Sequence, residues 1–191
     1  MDLSDEQIMQ DYRDKGPQAL EVIFERYKMR IFNFCLRLLG NRAEAEDVTS
    51  EVFLKLFSGA YTPAPEAKFS TWLFTVARNQ SISQIRKRTN IMSLWFRKKM
   101  NNEEGHWDIE DNAQTSAESL TKGEERHIVR KAVHKLPLEQ KEAIILREYF
   151  QMPYDEIAQV LGCSLEKVKV LIFRAREHLK GELHSLIKEG E

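Results

Sequence analysis

Apolar residues recur every three or four positions along most of the chain, which is the spacing of one helix face. The pattern is clear from Leu20 to Leu38, between the start signal Gly16-Pro17 and the stop signal Gly40-Asn41. Further helices are predicted at residues 43–58, 70–88, 121–136, 138–149, 154–161 and 165–186. No segment shows the strict alternation of a β-strand, so the sequence predicts an all-α fold.

Two polar interruptions divide this helical pattern. Pro63 and Pro65 predict an ordered loop before the third helix, because each proline removes a hydrogen-bond donor and restricts the residue before it. Residues 101–118 are rich in Asn, Glu, Asp, Gly and Ser and poor in apolar residues, which is typical of a linker. We therefore expect two small helical domains, 1–92 and 121–191, joined by a flexible linker at 93–120.

The C-terminal domain carries the spacing of a helix-turn-helix. Ala158 precedes Gly162 by four residues and Val168 by ten, so a small residue, a glycine and a branched residue stand where two helices would meet. Ser164 is the expected cap of the second helix. That helix would turn Lys167, Val170 and Arg174 outward on one line, a face suited to a DNA major groove. A helical hairpin with a solvated basic face remains the alternative.

The stretch KFSTWLFTVARN, followed by IRKR at residues 85–88, mixes aromatic, hydroxyl and basic residues on one predicted helix. Trp72, Leu73, Val76, Ala77 and Ile85 suffice for an inward stripe, which leaves Phe69 and Phe74 open to another role. Aromatic residues beside cations are typical of a surface that grips single-stranded nucleic acid. From the pattern alone, a place in the core explains Trp72 better than a contact with a base.

Composition narrows the class of protein. Charged residues make up 31% of the chain and the formal net charge is −1, so any nucleic-acid surface must come from local segregation of charge. Cys35 and Cys163 are isolated from each other, so the sequence predicts no disulfide framework and favours a reducing cytoplasm. The N-terminus is acidic and no long apolar run occurs, so neither a signal peptide nor a membrane span is predicted. The histidines and cysteines lack metal-ligand spacing. We expect no cofactor, no metal and no catalytic residues, and for Cys163 a buried turn position rather than redox sensing.

Three motifs occur in a fixed order: NRAEAEDVTSEVFLKLF, then KFSTWLFTVARNQSISQIRKR, then HKLPLEQKEAIILREYFQMPYDEIAQVLGCSLEKVKVLIFRARE. Together they make the chain resemble the bacterial sigma-70 family of RNA polymerase sigma factors, group IV, the extracytoplasmic-function (ECF) subfamily. The resemblance covers about residues 20–183 and implies a transcription initiation subunit without enzymatic activity. Its N-terminal domain would be sigma region 2 and its C-terminal domain sigma region 4.

The resemblance implies that region 2 binds core RNA polymerase at the clamp coiled coil of the largest subunit, while the polymerase flap is a further contact. The implied clamp-binding residues are Glu44, Asp47, Ser50 and Glu51. Ser50 stands where the family often has glutamine, which predicts a weaker polar contact at that position. The linker would follow the path of RNA through the polymerase, or serve only as a tether.

Promoter DNA is the second implied partner, single-stranded at the minus-10 element and duplex at the minus-35 element. The implied minus-10 residues are Lys68, Phe69, Ser70, Thr71, Trp72, Arg78, Asn79, Arg86, Lys87 and Arg88. The implied minus-35 residues are Ser164, Glu166, Lys167, Lys169, Val170, Phe173 and Arg174. Glu166, Lys167, Val170 and Leu171 depart from the residues common in the family, which leaves the preferred minus-35 bases open.

An anti-sigma factor is the third implied partner, and it would silence the protein by covering its polymerase-binding surfaces, in some cases near the membrane. Two competing hypotheses remain: a one-component regulator that binds duplex operator DNA by itself, and an interaction module that sequesters polymerase without reading DNA. The three hypotheses differ in whether the chain recognises DNA and whether core polymerase is required for that recognition.

Overall fold

The computed structural model describes residues 3–9, 18–61, 68–99 and 120–188, and every regular element within these ranges is a helix. A short helix α1 spans residues 5–9. The others are α2 (Gln18–Leu39), α3 (Arg42–Phe57), α4 (Phe69–Lys99), α5 (Leu120–Lys135), α6 (Leu138–Phe150), α7 (Tyr154–Leu161) and α8 (Leu165–Lys188). The all-α prediction is confirmed.

Helix boundaries follow the local signals of the sequence. The Ser4 hydroxyl accepts from the Gln7 backbone N–H at 3.2 Å, and Gln7 Oε1 accepts from the Ser4 backbone N–H at 2.9 Å, which is a reciprocal capping box. Asn41 caps α3 by accepting from the backbone N–H of Glu44 at 3.0 Å. These caps supply partners for backbone donors that the first helical turn cannot satisfy.

One boundary differs from the sequence-based expectation. Helix α4 continues to Lys99, whereas the apolar period fades after Arg88 and the linker was expected from residue 93. The apolar stripe of α4 ends near Arg88, but the segment from Thr89 to Lys99 contains no glycine or proline. Because no residue with a strongly unfavourable helix propensity interrupts it, the helix continues. The rest of the expected linker, from residue 100 to 119, lies outside the described residues.

Helices α2, α3 and α4 form the N-terminal half, and α5 to α8 form the C-terminal half. The N-terminal core includes Ile23, Ile31, Phe34, Leu56 and Leu73, all fully buried. The C-terminal core is built in the same way from apolar residues of α6, α7 and α8, and the two cores form one continuous cluster. The halves therefore touch, through contacts of α4 with α7 and of α2 with α6.

The helix-turn-helix is confirmed in its local geometry. Gly162 has φ +64°, a left-handed conformation that strains residues with a side chain, and its turn lies between α7 and α8. The backbone N–H of Cys163 donates to the Ala158 carbonyl at 3.0 Å, which closes the turn. Val168 is fully buried in the angle between the two helices, and the Ser164 hydroxyl caps α8 by accepting from the Lys167 backbone N–H.

Candidate functional site

Helix α3 is amphipathic, and its outer face carries three of the four residues expected to bind polymerase. Its inner face is formed by Ala45, Val48, Val52, Phe53 and Leu56, which are all buried. Asp47, Ser50 and Glu51 are exposed on the opposite side. Since the inner residues hold the helix in the bundle, the outer residues are free to meet a partner protein.

Two apolar residues extend this outer face, and the sequence reasoning missed them. Leu54 is 65% exposed and Phe57 is 43% exposed. Leu54 stands three residues after Glu51, so it lies on the same helix face one turn further on. The exposure of Leu54 could have been predicted from the sequence, because Leu54 falls outside the inward stripe of Val48, Val52 and Leu56. We call Asp47, Ser50, Glu51, Leu54 and Phe57 the α3 outer face.

Glu44 is placed differently from the other three expected residues. Its carboxylate Oε2 lies 3.6 Å from Nη1 of Arg88, and only 20% of its side chain is exposed. The pair joins the start of α3 to the middle of α4. Glu44 therefore lies at the edge of the α3 outer face and also attracts Arg88, a cation of the expected minus-10 surface.

The beginning of α4 is more buried than the sequence suggested. Phe69 is fully buried, with its ring centroid 5.8 Å from that of Tyr27 and 5.1 Å from that of Tyr61. Thr71 is 3% exposed and Phe74 is fully buried. The expectation that Phe69 and Thr71 are exposed to a DNA strand is wrong in this arrangement, because both side chains are buried and the rings of Tyr27 and Tyr61 pack against Phe69. Trp72 is half-buried against Tyr61 at 5.1 Å.

Other expected minus-10 residues form an exposed basic track on α4. Lys68, Asn79, Arg86, Lys87 and Arg88 are exposed, and Ser70 is half-buried. Arg78 is the exception, since its side chain is 19% exposed and its guanidinium pairs with Glu142 of α6. The cations at 86–88 are therefore the part of this surface that is most accessible to a phosphate backbone.

The burial of Phe69 leads to a testable expectation about its role. We expect Phe69→Ala to cost about 3–5 kcal/mol of unfolding free energy, because it leaves a cavity between Tyr27 and Tyr61. Phe69→Leu keeps most of the apolar volume and should retain most of the stability and promoter opening. Thermal unfolding and open-complex formation measure the two properties. A stable Phe69→Leu protein that fails to open promoters would assign Phe69 to base stacking instead.

The residues of the expected minus-35 surface lie on the outward side of α8, and their contact with DNA stays a prediction. Glu166, Lys167, Lys169, Val170, Phe173 and Arg174 are all exposed, and Ser164 at the helix start is exposed as well. Val170 and Phe173 are 45% and 66% exposed, so both apolar side chains are accessible to a binding partner on this face. The Lys167 ammonium lies 2.8 Å from the Glu139 carboxylate, so DNA must compete with that ion pair.

The two cysteines and the possible metal ligands were the other candidates for chemistry. Burial raises the pKa of the Cys35 thiol to about 11 and also raises the pKa of Cys163, so neither is a ready thiolate. Across the parts of the chain that the structure describes, no group of three His, Cys, Asp or Glu side chains is arranged to hold a metal ion. None of the described helices is long and apolar enough to span a membrane.

Comparison with known proteins matches both halves of the chain. The Sigma-70 region 2 family matches residues 23–91, and the Sigma-70 region 4 family matches residues 126–179. The chain is 30% identical over 176 residues to the ECF RNA polymerase sigma factor SigW of Bacillus subtilis, covering 90% of this chain and 93% of that one. It is 26% identical over 188 residues to the RNA polymerase sigma-H factor of Pseudomonas aeruginosa, covering 97% of each.

Two solved structures share the fold. The sigma factor RpoE of Bartonella quintana, in complex with the anti-sigma factor NepR, aligns with a TM-score of 0.67 at 24% identity, over 88% of this chain and 98% of that one. CnrH, in complex with the cytosolic domain of CnrY, aligns with a TM-score of 0.68 at 18% identity, over 95% and 97%. Region 2 corresponds to α2–α4 and region 4 to α5–α8. The chain therefore belongs to the ECF RNA polymerase sigma factors, which direct promoter-specific transcription.

Proposed function

We propose that this sigma factor binds the clamp coiled coil of core RNA polymerase through the α3 outer face. The observation that carries this proposal is the line of exposed carboxylates and apolar side chains on one side of α3, which Asp47, Glu51 and Leu54 share. An apolar centre flanked by charges is the usual composition of a protein–protein contact. The carboxylates would steer a basic partner and the leucine would supply buried apolar area.

Promoter recognition is divided between α4 and α8 in this proposal. The track of Arg86, Lys87 and Arg88 would neutralise the backbone of the displaced strand at the minus-10 element, while Asn79 and Trp72, about two and four turns earlier on α4, would contact bases. Helix α8 would enter the major groove at the minus-35 element. There Arg174 and Lys167 could contact guanine edges or phosphates, and Val170 and Phe173 could contact thymine methyl groups.

Regulation by an anti-sigma factor is part of the same proposal. Both solved structures named above are complexes with a partner protein, and in the first of them a sigma factor is bound by a partner described as an anti-sigma factor. The exposed Leu54 and Phe57 would offer such a partner apolar area to bury beside the carboxylates of the α3 outer face. Competition between the partner and polymerase for the α3 outer face would then silence transcription.

Reconstitution tests the proposed function. We expect run-off transcripts from a genomic fragment library only when core polymerase and the purified chain are both present, and little duplex binding by the chain alone. Arg174→Ala should leave core binding intact and weaken promoter use by about 1–3 kcal/mol, which is roughly 5-fold to 150-fold. A chain that shifts duplex DNA unaided and fails to bind core polymerase would support the one-component regulator instead.

A further inference from the structure

Helix α1 is joined to α2 by a carboxylate that has partners at both of its oxygens. Oδ2 of Asp5 accepts a hydrogen bond from the Tyr27 hydroxyl, and Oδ1 lies 2.5 Å from Nη1 of Arg26. The Arg26 guanidinium also donates to the backbone carbonyl of Leu3 at 3.2 Å. Only 16% of the Asp5 side chain is exposed, so water competes little for these contacts.

The same short helix contacts the start of α4. Oε1 of Glu6 accepts from the backbone N–H of Phe69 at 3.4 Å. That N–H belongs to the first turn of α4, whose donors have no partner within their own helix. The first turn of α4 contains no acidic residue, so Glu6 supplies from α1 the negative charge that a helix N-terminus favours.

These polar contacts fix an orientation that the apolar contacts of α1 do not. Ile8 and Met9 are 3% and 4% exposed and hold α1 against the core, but burial of apolar area has no preferred direction. Hydrogen bonds require the donor and the acceptor to be aligned. Asp5 contacts two consecutive residues of α2, and Glu6 contacts the first residue of α4. Helix α1 therefore sets where α4 begins relative to α2.

Aromatic packing extends from Tyr27 to the tryptophan of the expected minus-10 surface. The centroid of the Tyr27 ring lies 5.8 Å from that of Phe69. Phe69 packs against Tyr61 at 5.1 Å, and Tyr61 packs against Trp72 at 5.1 Å. All three pairs are edge-to-face, an arrangement whose energy depends on the angle between the rings. A displacement of Tyr27 is therefore passed on to Trp72.

Tyr27 itself is held at its hydroxyl and at its ring. Burial raises the pKa of Tyr27, and the hydrogen bond to Asp5 raises it further, so the hydroxyl keeps its proton and remains a donor at neutral pH. The guanidinium carbon of Arg30 lies 5.5 Å from the ring centroid, which is a favourable cation–π distance. The ring that packs against Phe69 is thus oriented from two sides.

We propose that α1 is a positioning element for the minus-10 surface and that Asp5 is its positioning residue. Acting through the aromatic pairs, Asp5 holds Trp72 in the orientation that receives an unpaired base. The residues of α1 contact no DNA in this proposal. The inference rests on the proposed function for the role of Trp72, but the effect of Asp5 on Trp72 is measured without DNA.

Binding of the holoenzyme to forked promoter DNA tests the positioning role. The probe is a promoter found by run-off transcription, with each base of its single-stranded minus-10 element replaced in turn by an abasic site. A stacked base contributes roughly 5-fold to 150-fold to affinity, so the ratio of intact to abasic affinity measures base capture. We expect Asp5→Ala to lower this ratio about 3-fold to 10-fold, as for residues coupled in one network. Affinity for core polymerase should stay within about 2-fold of wild type, because the α3 outer face is unchanged.

Two further variants separate positioning from stability. Tyr27→Phe removes the hydroxyl and keeps the ring against Phe69, so it should lower the ratio, and adding it to Asp5→Ala should lower the ratio no further. Ile31→Val is the matched control, because it shortens a fully buried side chain of α2 and lowers stability without removing a polar contact of α1. It should keep the wild-type ratio at a temperature where circular dichroism shows every variant to be folded. If Asp5→Ala loses helix content there, Tyr27→Phe decides.

Fluorescence of Trp72 measures the same effect in the free protein. The chain contains three tryptophans, so Trp95→Phe and Trp107→Phe leave Trp72 as the reporter. On this background, Asp5→Ala should shift the emission to longer wavelength and increase quenching by acrylamide, because Trp72 packs less closely against Tyr61. Ile31→Val should change neither property.

Two results would overturn the inference. One is an unchanged ratio of intact to abasic affinity in the folded Asp5→Ala or Tyr27→Phe holoenzyme. The other is an equal fall in that ratio for Asp5→Ala and Ile31→Val, which would assign α1 to stability alone. A wild-type holoenzyme that gives no transcripts would instead reject the proposed function, and the emission of Trp72 would still show whether Asp5 orients that side chain.

Discussion

Reversing Asp47 and Glu51 together, to lysine, is expected to weaken binding to core RNA polymerase strongly. The two carboxylates stand one helical turn apart on the exposed side of α3, while the buried side of α3 is unaffected by the change. Reversal replaces attraction by repulsion at a basic partner and leaves Leu54 beside two cations. Losing charge pairs at a protein interface costs about 2–5 kcal/mol, so we expect affinity to fall at least ~30-fold.

The measurement is a titration of core polymerase with labelled protein at fixed ionic strength, followed by run-off transcription. Glu21→Lys with Glu25→Lys is the matched control, because these residues are also exposed carboxylates four positions apart, on α2. Each of the two double substitutions changes the formal net charge of the chain from −1 to +3. If both lowered affinity equally, overall charge rather than the α3 outer face would be responsible.

The local parts of this structure could be predicted from the sequence, because the signals that fix them lie within a few residues of one another. The turn at Gly162, the cap at Ser164 and the inward position of Val168 are all set by neighbouring side chains and backbone angles. The same holds for the exposed face of α8, whose residues follow from helical periodicity once the buried stripe is known.

The burial of Phe69 and Thr71 could not be predicted in the same way. The rings that pack against Phe69 come from elsewhere in the chain, since Tyr27 lies on α2 and Tyr61 precedes α4 by eight residues. The apolar pattern of one helix shows which of its faces is apolar. It does not show whether another part of the chain covers the residues next to that face. The presence of several aromatic residues in one stretch indicated a special role, and packing is the role that the structure gives to Phe69.

The pairing of Arg78 with Glu142 joins residues 64 positions apart and depends on how the halves meet. The local sequence does not indicate that Glu142 is buried, because it follows Glu139, Gln140 and Lys141 and precedes the apolar run that begins at Ala143. A buried carboxylate nearly always has a cationic or hydrogen-bonding partner. Its identity required the three-dimensional arrangement.

Neutralising Arg86, Lys87 and Arg88 to alanine is expected to weaken promoter opening across all promoter sequences and to reduce its dependence on salt. The three side chains are exposed on α4, so the substitution removes charge without removing core packing. Three contacts to single-stranded phosphates contribute about 2 to the slope of log affinity against log salt, and that slope should fall by about this amount. Arg88 should contribute least, because Glu44 at 3.6 Å already attracts it.

The measurement is binding of the holoenzyme to forked promoter DNA with a single-stranded minus-10 element, over a series of salt concentrations. Lys131, Lys135 and Lys180 changed to alanine provide a control with the same loss of charge, at exposed positions on α5 and α8 outside both proposed DNA surfaces. The control should keep the wild-type slope. A loss confined to one promoter sequence would indicate that these cations read bases, because phosphate contacts carry no sequence information. An unchanged slope in the triple variant would mean that the displaced strand does not pass along this part of α4.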